Sequence, residues 1–386
     1  MKWENKGKEL DTYGLEVCQN YENHNGIVIF GAGDNGAHVY RMLKPFNLFV
    51  GFVDNSAEKQ ANGFENETVY PVEIVNDKNY FVILAGTESH MSEMIEQLLS
   101  FGLVLNKDFI TCDEFKVKWF KCLLLYKFDT LYTELAQICV TERCTLKCKK
   151  CAHACHLVDI NTEDMSLEEA KRSADNFFGA FNYVGEFVLI GGEPFLYKKL
   201  NELITYIGEK YRNKIDLFTI TTNGTIIPQK ETIEVCKKYN VIIRVSDYSG
   251  TIPKLKKRYG LLFETLKELP YSVWEKNEGA WFDYGFFDII LKDEKLILEN
   301  FNNCKTHCRE IKGNKYYYCV MAHTVAQNAG MHIGKDDYYL INDKLNRKEL
   351  LEFDIGYSKK GYMDMCSRCR GNKASEYLIA AAEQVE

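Results

Sequence analysis

Between residues 135 and 245, four short apolar runs at 135–140, 187–190, 217–221 and 241–245 alternate with helical stretches near 166–178, 197–210 and 230–238. No other feature of the chain restricts its fold as much. Repeated strand–helix units imply a parallel sheet or barrel, and such folds carry their chemistry at the C-terminal ends of the strands. The chemically distinctive residues fall at those ends: Cys144 follows the first run, Gly191 the second, Asn223 the third and Ser246 the fourth.

The chain has 386 residues, enough for two or three domains. Hydrophobic residues make up 46% and charged residues 27%, a globular composition that argues against long disorder. A net charge of −7 argues against a nucleic-acid surface, which has to displace counterions from phosphates. The basic run Lys256-Lys257-Arg258 reads as a solvated helix face. No signal-like apolar run opens the sequence, and no stretch reaches the ~20 apolar residues that span a bilayer. The expectation is a cytoplasmic protein with neither membrane nor nucleic acid as partner.

In a reducing compartment clustered cysteines bind metal or do chemistry more often than they form disulfides. Of 14 cysteines, Cys144, Cys148, Cys151 and Cys155 form one group, Cys304, Cys308 and Cys319 a second, and Cys366 and Cys369 a third. Cys18, Cys112, Cys122, Cys139 and Cys236 stand alone and read as small core residues. Three thiolates in a loop past a strand would leave one iron of a four-iron cluster without a protein ligand. An open coordination position is what distinguishes a working metal site from a structural one. On spacing alone, zinc on Cys144, Cys148, Cys151 and Cys155 is a real alternative.

The first 115 residues have a different pattern. An apolar run, Gly26-Ile-Val-Ile-Phe30, leads into Gly31-Ala-Gly33-Asp-Asn-Gly36. A helix over 37–43 and a strand over 48–53 follow, ending at Asp54. Strand, GxGxxG, helix, strand and a later acidic residue form the dinucleotide-binding layout: glycines for a tight turn and close backbone approach, helix N–H groups for phosphate. A strand at 80–84 and a helix at 91–100 complete an α/β unit. Residues 115–134 lack Pro and Gly and read as a connecting helix. The segment resembles the N-terminal nucleotide-sugar-binding domain of bacterial sugar acyltransferases. That implies a nucleotide or nucleotide-sugar ligand held by Gly31, Gly33, Gly36 and Asp54; an appended module that binds nothing is the competing reading.

C-x3-C-x2-C after the first strand, with Gly191-Gly192-Glu193-Pro194 after the second, resembles the radical S-adenosylmethionine superfamily over roughly 132–300. The Gly-Gly-Glu segment is what sets zinc aside at the first cysteine group. The resemblance implies a 4Fe–4S cluster on Cys144, Cys148 and Cys151 whose open iron chelates S-adenosylmethionine. It also implies an external one-electron reductant of flavodoxin or ferredoxin type. Gly191, Gly192 and Glu193 would contact the methionine amino group, with Thr222, Asn223, Ser246 and Asp247 on the rest of the cofactor and Arg244 on its carboxylate. One departure stands out: the family usually has an aromatic residue before the third cysteine, and here that position is Lys150, so adenine contact falls elsewhere, with His153 a candidate. Cys155 and His156 read as neighbours of the cluster or surface residues, with a reactive thiol the competing reading for Cys155.

From about residue 300, Gly313-Asn314 is a two-residue hairpin turn. Counting outward pairs Lys312 with Lys315, Glu310 with Tyr317 and Cys308 with Cys319, and Cys366-x2-Cys369 adds a second chelating pair. Four thiolates suit an auxiliary 4Fe–4S cluster or a structural zinc. The layout is similar to the shortened "twitch" form of the SPASM auxiliary-cluster domain. Its wider upstream spacing implies Cys304, where hairpin pairing points to Cys308. The expected organisation is a Rossmann-like domain at 1–115, a connecting helix at 116–134, a partial (βα)6 barrel at 135–300 and the auxiliary-cluster domain at 301–386.

The expected activity is radical hydrogen abstraction from a small polar substrate, a sugar, nucleotide sugar or aminocyclitol. An oxidation assisted by the auxiliary cluster fits this best, and maturation of a ribosomal peptide or partner protein is the alternative. Trp281, Asp283, Tyr284 and His323 are further candidates near substrate, with core roles as the competing reading.

Overall fold

The computed structural model describes residues 1–269, 273–277, 279–304 and 308–385, the side chains of 273–277 excepted. Two compact units result, Asn5–Leu131 and Met1–Glu4 with Tyr132–Glu386.

In the first unit five parallel strands lie in the order β3-β2-β1-β4-β5: β1 Ile27–Phe30, β2 Phe49–Val53, β3 Val69–Tyr70, β4 Phe81–Leu84 and β5 Phe109–Thr111. The switch between β1 and β4 is where such sheets open a crevice. β1 and β4 are buried at every residue, as strands covered on both faces must be. The apolar stretch expected as a connector splits into a π-helical turn, Phe115–Trp119, and an α-helix, Phe120–Phe128. The α-helix packs on the helix Lys8–Glu22 inside this same unit.

The second unit is built on an eight-stranded sheet, β10-β9-β8-β7-β6-β12-β13-β14. β6 Tyr132–Thr141, β7 Tyr183–Gly191, β8 Ile215–Thr222, β9 Val241–Asp247 and β10 Val273–Asn277 run parallel in that sequence order. The α/β fold with a parallel sheet is as expected. A small separate ribbon pairs β11 Ala280–Phe282 with β15 Leu378–Ala380.

The helices crossing between strands show why the alternation folds this way. Ser166 accepts the Glu169 N–H at 3.2 Å and starts the helix Leu167–Ala180. Ala170, Ser173, Ala174, Phe177 and Phe178 then recur at helical spacing and are buried. Phe177 and Phe178 pack edge-on at 4.9 Å, and each buried ring contributes about 1.5–3 kcal/mol.

The sheet runs on through residue 300. β12 Arg309–Lys312 pairs in parallel with β6, β13 Lys315–Tyr317 turns back on it, and β14 Tyr338–Leu340 closes that edge. The expected pairs Lys312–Lys315 and Glu310–Tyr317 are present. Cys308 and Cys319 do not extend the ladder. β13 ends at Tyr317, Cys319 caps the helix Val320–Asn328, and the Val320 N–H donates to the Cys308 carbonyl at 2.9 Å. Outward counting fails where the chain leaves the hairpin to begin that helix.

A buried polar node ties this added edge to β6. Asp354, at the end of the helix Arg347–Asp354, accepts from Thr133 at 3.0 Å and Tyr316 at 2.6 Å. The Arg309 guanidinium reaches the Asp354 carbonyl at 2.7 Å and the Tyr318 carbonyl at 2.8 Å. Its Nε also lies 3.4 Å from the Asp354 carboxylate, and removing one partner of such a buried ion pair leaves an uncompensated charge. Arg309→Met should cost about 3–5 kcal/mol in anaerobic urea unfolding.

Candidate active site

The loop that leaves β6 carries Cys144, Cys148 and Cys151. Arg143 anchors its start with two bonds to Asp164, at 2.8 and 2.5 Å, and a third to the Leu196 carbonyl at 3.0 Å. Thr141 donates to the same carboxylate at 2.6 Å. The next strand end meets this loop backbone to backbone, Gly192 N–H to the Thr141 carbonyl and Glu193 N–H to the Arg143 carbonyl, each at 2.9 Å. A β-carbon on Gly191 would lie 2.1 Å from the Thr141 oxygen, and one on Gly192 only 2.2 Å from the Arg143 oxygen. Both positions therefore require glycine.

Glu193 is fully buried. Its carboxylate accepts from the Thr222 hydroxyl at 2.8 and 2.9 Å, the Asn223 N–H at 2.9 Å and the Phe195 N–H at 3.1 Å. Burial pushes its pKa up to about 7 against the pull of those donors. Glu193 thus braces the end of β7 to the end of β8. It was expected at the cofactor, but the cavity is lined by Gly191 and Gly192 and not by Glu193.

That cavity, about 400 Å³, is lined by Cys144, Cys148, Cys151, Gly191, Gly192, Thr222, Asn223 and Ser246 among the expected residues. Arg244 and Asp247 do not line it. Arg244 forms an ion pair with Glu186, and Asp247 accepts the Ser249 N–H at 2.8 Å in the turn after β9. Sequence reading missed Tyr248, whose ring meets Trp281 edge-on at 5.5 Å in the cavity wall. An aromatic residue directly after the Ser246-Asp247 strand end was the available signal.

Lys150 takes a left-handed backbone conformation, φ 55°, and its ammonium pairs with Asp288 and, at 3.3 Å, with Asp283. Arg370 pairs with the same Asp283 at 3.0 Å. Lys150 therefore ties the cysteine loop to residues 281–288, which bring Trp281, Phe282 and Tyr284 to the cavity. His153 lines the cavity as well; burial holds its pKa below the usual range. His323 does not line it but is buried against Glu310, 2.7 Å away.

The donor set fits a thiolate-bound cluster. Asn223 and the Leu146 N–H each donate to the Cys144 sulfur at 3.4 Å, and Gln384 donates to the Cys148 sulfur at 3.2 Å. Burial raises the free thiols of Cys144 and Cys148 to about 11 and 12, so a bound cation is what would keep them ionised. Cys151 is instead held below the usual thiol range, chiefly by the Cys155 S–H and also by nearby backbone N–H groups. Among the described residues no three His, Cys, Asp or Glu side chains converge on one ion. The three thiols all line the one cavity of about 400 Å³.

A second, narrower cavity is lined by Cys304, Cys319, Cys366 and Cys369, with Phe286, Met321, Met363 and Met365. Cys308 is not among its lining residues. It packs against the helix that begins at Val320 instead. Tyr284 lines both cavities.

In the first unit, Gly31 has φ 116°, and a β-carbon on Gly36 would lie 2.0 Å from the Gly31 carbonyl, so helix and strand pack closely there. Open space faces Gly33. Asp54, expected on a ribose, has its oxygens engaged by the Ala32 and Ser56 N–H groups, both at 2.9 Å, and by Lys59 at 3.0 Å. Burial opposes its ionisation, and these three donors outweigh it and lower the pKa.

Among the described residues no helix is long and apolar enough to cross a membrane. Substituting Gly192 by Ala should force the Arg143 carbonyl and the Cys144 β-carbon apart, at a cost of about 1–3 kcal/mol. The expected outcome is loss of iron from this site on anaerobic reconstitution, read by iron analysis and visible absorption, with far-UV circular dichroism little changed.

Parts of the chain are similar to known proteins. A 109-residue stretch, 28% of the chain, is 32% identical to the antilisterial bacteriocin subtilosin biosynthesis protein AlbA of Bacillus subtilis (strain 168), and spans 22% of that protein. An 89-residue stretch, 23% of the chain, is 35% identical to the GTP 3',8-cyclase of Ectopseudomonas mendocina (strain ymp), and spans 26% of it. The matched part is thus about a quarter of these curated relatives' length. A solved structure of BtrN in complex with AdoMet and 2-DOIA is similar at 15% identity over 65% of this chain and 96% of that one, TM-score 0.37. Residues 138–248 match the model of the radical SAM superfamily, so the chain carries a radical SAM domain, of the family that uses S-adenosylmethionine and a 4Fe–4S cluster.

Proposed function

We propose that the protein is a radical S-adenosylmethionine enzyme that oxidises a small polar substrate, a sugar, nucleotide sugar or aminocyclitol. The observation that carries this reading is the cavity shared by Cys144, Cys148, Cys151, the Gly191-Gly192 backbone and the aromatic wall of Tyr248 and Trp281. When bound, the catalytic cluster and S-adenosylmethionine would supply radical abstraction of a substrate hydrogen atom, and an auxiliary cluster would accept the second electron as a proton leaves the substrate.

The chain's own groups have distinct roles. Cys144, Cys148 and Cys151 hold the cluster, and the glycine backbone leaves room for the methionine end of the cofactor. Ser246 offers a hydroxyl to its polar parts and Asn223 holds the Cys144 sulfur in the same wall, while Tyr248 and Trp281 give flat apolar faces to the adenine. Lys150 positions that wall through Asp283 and Asp288. Cys304, Cys319, Cys366 and Cys369 hold the auxiliary cluster in preference to a set containing Cys308, because those four share one cavity. Tyr284 then stands between the two centres. The first unit, with the strand order of a nucleotide-binding sheet, takes a nucleotide or nucleotide-sugar ligand of its own at the open side of Gly33.

The identity to a bacteriocin biosynthesis protein favours a second reading, maturation of a peptide. Incubating the whole protein with nucleotide sugars or with short precursor peptides, and following substrate mass, separates the two.

Reduced enzyme should release 5′-deoxyadenosine from S-adenosylmethionine, and Cys148→Ala should abolish this. Persistent cleavage in that variant refutes the catalytic reading. Reconstituted protein should bind about eight irons. Cys366→Ala should reduce this to about four while S-adenosylmethionine cleavage continues and substrate oxidation stops.

A further inference from the structure

The loop around Cys148 has no regular secondary structure, yet its backbone groups need partners. Residues 380–385, more than 200 positions away in sequence, supply them. Lys149 N–H donates to the Glu383 carbonyl at 2.6 Å, and Val385 N–H donates to the Lys147 carbonyl at 2.7 Å. Lys147 N–H donates to the Gln384 side-chain oxygen at 2.8 Å. The three bonds bracket Cys148, which faces Gln384 in an antiparallel bridge.

The side chain of Gln384 completes the arrangement. Its oxygen is taken by Lys147, and its amide N–H groups go to the Ala382 carbonyl at 2.7 Å and the Cys148 sulfur at 3.2 Å. A left-handed turn at Ala382, φ 57°, aims Gln384 back at the loop. Ala382 is itself fully buried and packs with Leu146, Cys148 and Ile252. The segment starts from β15, whose Ile379 pairs with Trp281 of the cavity wall. One strap thus holds both the wall and the middle cysteine.

We infer that residues 380–385 are a strap over the catalytic cluster, and that Gln384 is a positioning residue that donates an N–H···S hydrogen bond to Cys148 and so sets the cluster's reduction potential. This rests on the reading of Cys148 as a cluster ligand. Reduction adds negative charge to the cluster, and a donor to a ligating sulfur stabilises the charged form, so the bond raises the potential. The strap also keeps solvent from that sulfur, since Cys148 is buried.

The test is a redox titration of the reconstituted full-length protein, following the electron paramagnetic resonance signal that changes on adding S-adenosylmethionine. Gln384→Glu keeps the oxygen that accepts from Lys147 but loses the N–H donor and adds charge; Gln384→Met loses donor and acceptor. Both should retain the signal, with midpoints shifted negative, further in Gln384→Glu. The exposed Lys149–Glu383 pair serves as control, and Lys149→Arg, which keeps the charge, should leave the midpoint unchanged. Unshifted midpoints in both Gln384 variants overturn the inference.

A second measurement covers variants that lose the cluster. Reduced wild-type protein should show exchangeable protons coupled to the catalytic cluster by electron–nuclear double resonance in H2O against D2O; Gln384→Met should leave those of the Cys144 donors Leu146 and Asn223 in place and remove one, the Gln384 coupling. Its absence from the wild-type spectrum overturns the inference. Failure of the ligand reading is distinguishable, because Cys148→Ala would then keep the same signal.

Discussion

The site depends on one buried carboxylate. Glu193 draws in the hydroxyl of Thr222 and the N–H groups of Asn223 and Phe195, while its own N–H holds the Arg143 carbonyl next to Cys144. Three strand ends are therefore fixed relative to one another by a group that does not line the cavity. A buried carboxylate is costly unless its lone pairs are satisfied, and here three donors do so, the Thr222 hydroxyl lying within reach of both oxygens. With the brace in place, the two glycines can press against the cysteine loop closely enough that no β-carbon fits. The carboxylate acts at a distance, through backbone it has positioned.

Much of this was legible in the sequence, for identifiable reasons. Strand–helix alternation is a local signal, and β6 to β9 fall where the apolar runs lie. The hairpin at Gly313-Asn314 was legible because turn chemistry and pairing are local as well. What failed was extrapolation. The register was carried two residues past Tyr317, to Cys319, where the chain had already turned into a helix. Arg244 and Asp247 sit at a strand end, as expected, but period-two alternation and a tight turn give them to Glu186 and Ser249. Position along a strand could be read; the direction of a long side chain could not.

Asp54 shows the same limit differently. The spacing from Gly31 to Asp54 put an acid at the end of β2, where it stands. Nothing in that spacing foretold that Ala32, Ser56 and Lys59 would claim its oxygens. The remaining blind spot was long-range contact. Lys150, in a place usually aromatic, looked like a defect in the adenine pocket. The structure pairs it with Asp283 and Asp288, more than 130 residues on, and that pairing brings the aromatic wall of 281–284 to the cavity.

The same reasoning explains why the second unit does not divide at residue 300. β12 adds in parallel to the free edge of β6, so the hairpin shares its hydrogen bonds with the strand that feeds the cysteine loop. Arg309, Asp354, Thr133 and Tyr316 then lock that junction in a desolvated network, where loosening any member strands a charge or a hydroxyl. The cysteine-rich segment is consequently braced against the base of the β6 strand whose far end carries Cys144. The ribbon of β11 and β15 reaches the cavity from the other side. The two cysteine-lined cavities keep a fixed separation, because the elements lining them belong to one continuous sheet and its attached ribbon rather than to domains joined by a linker.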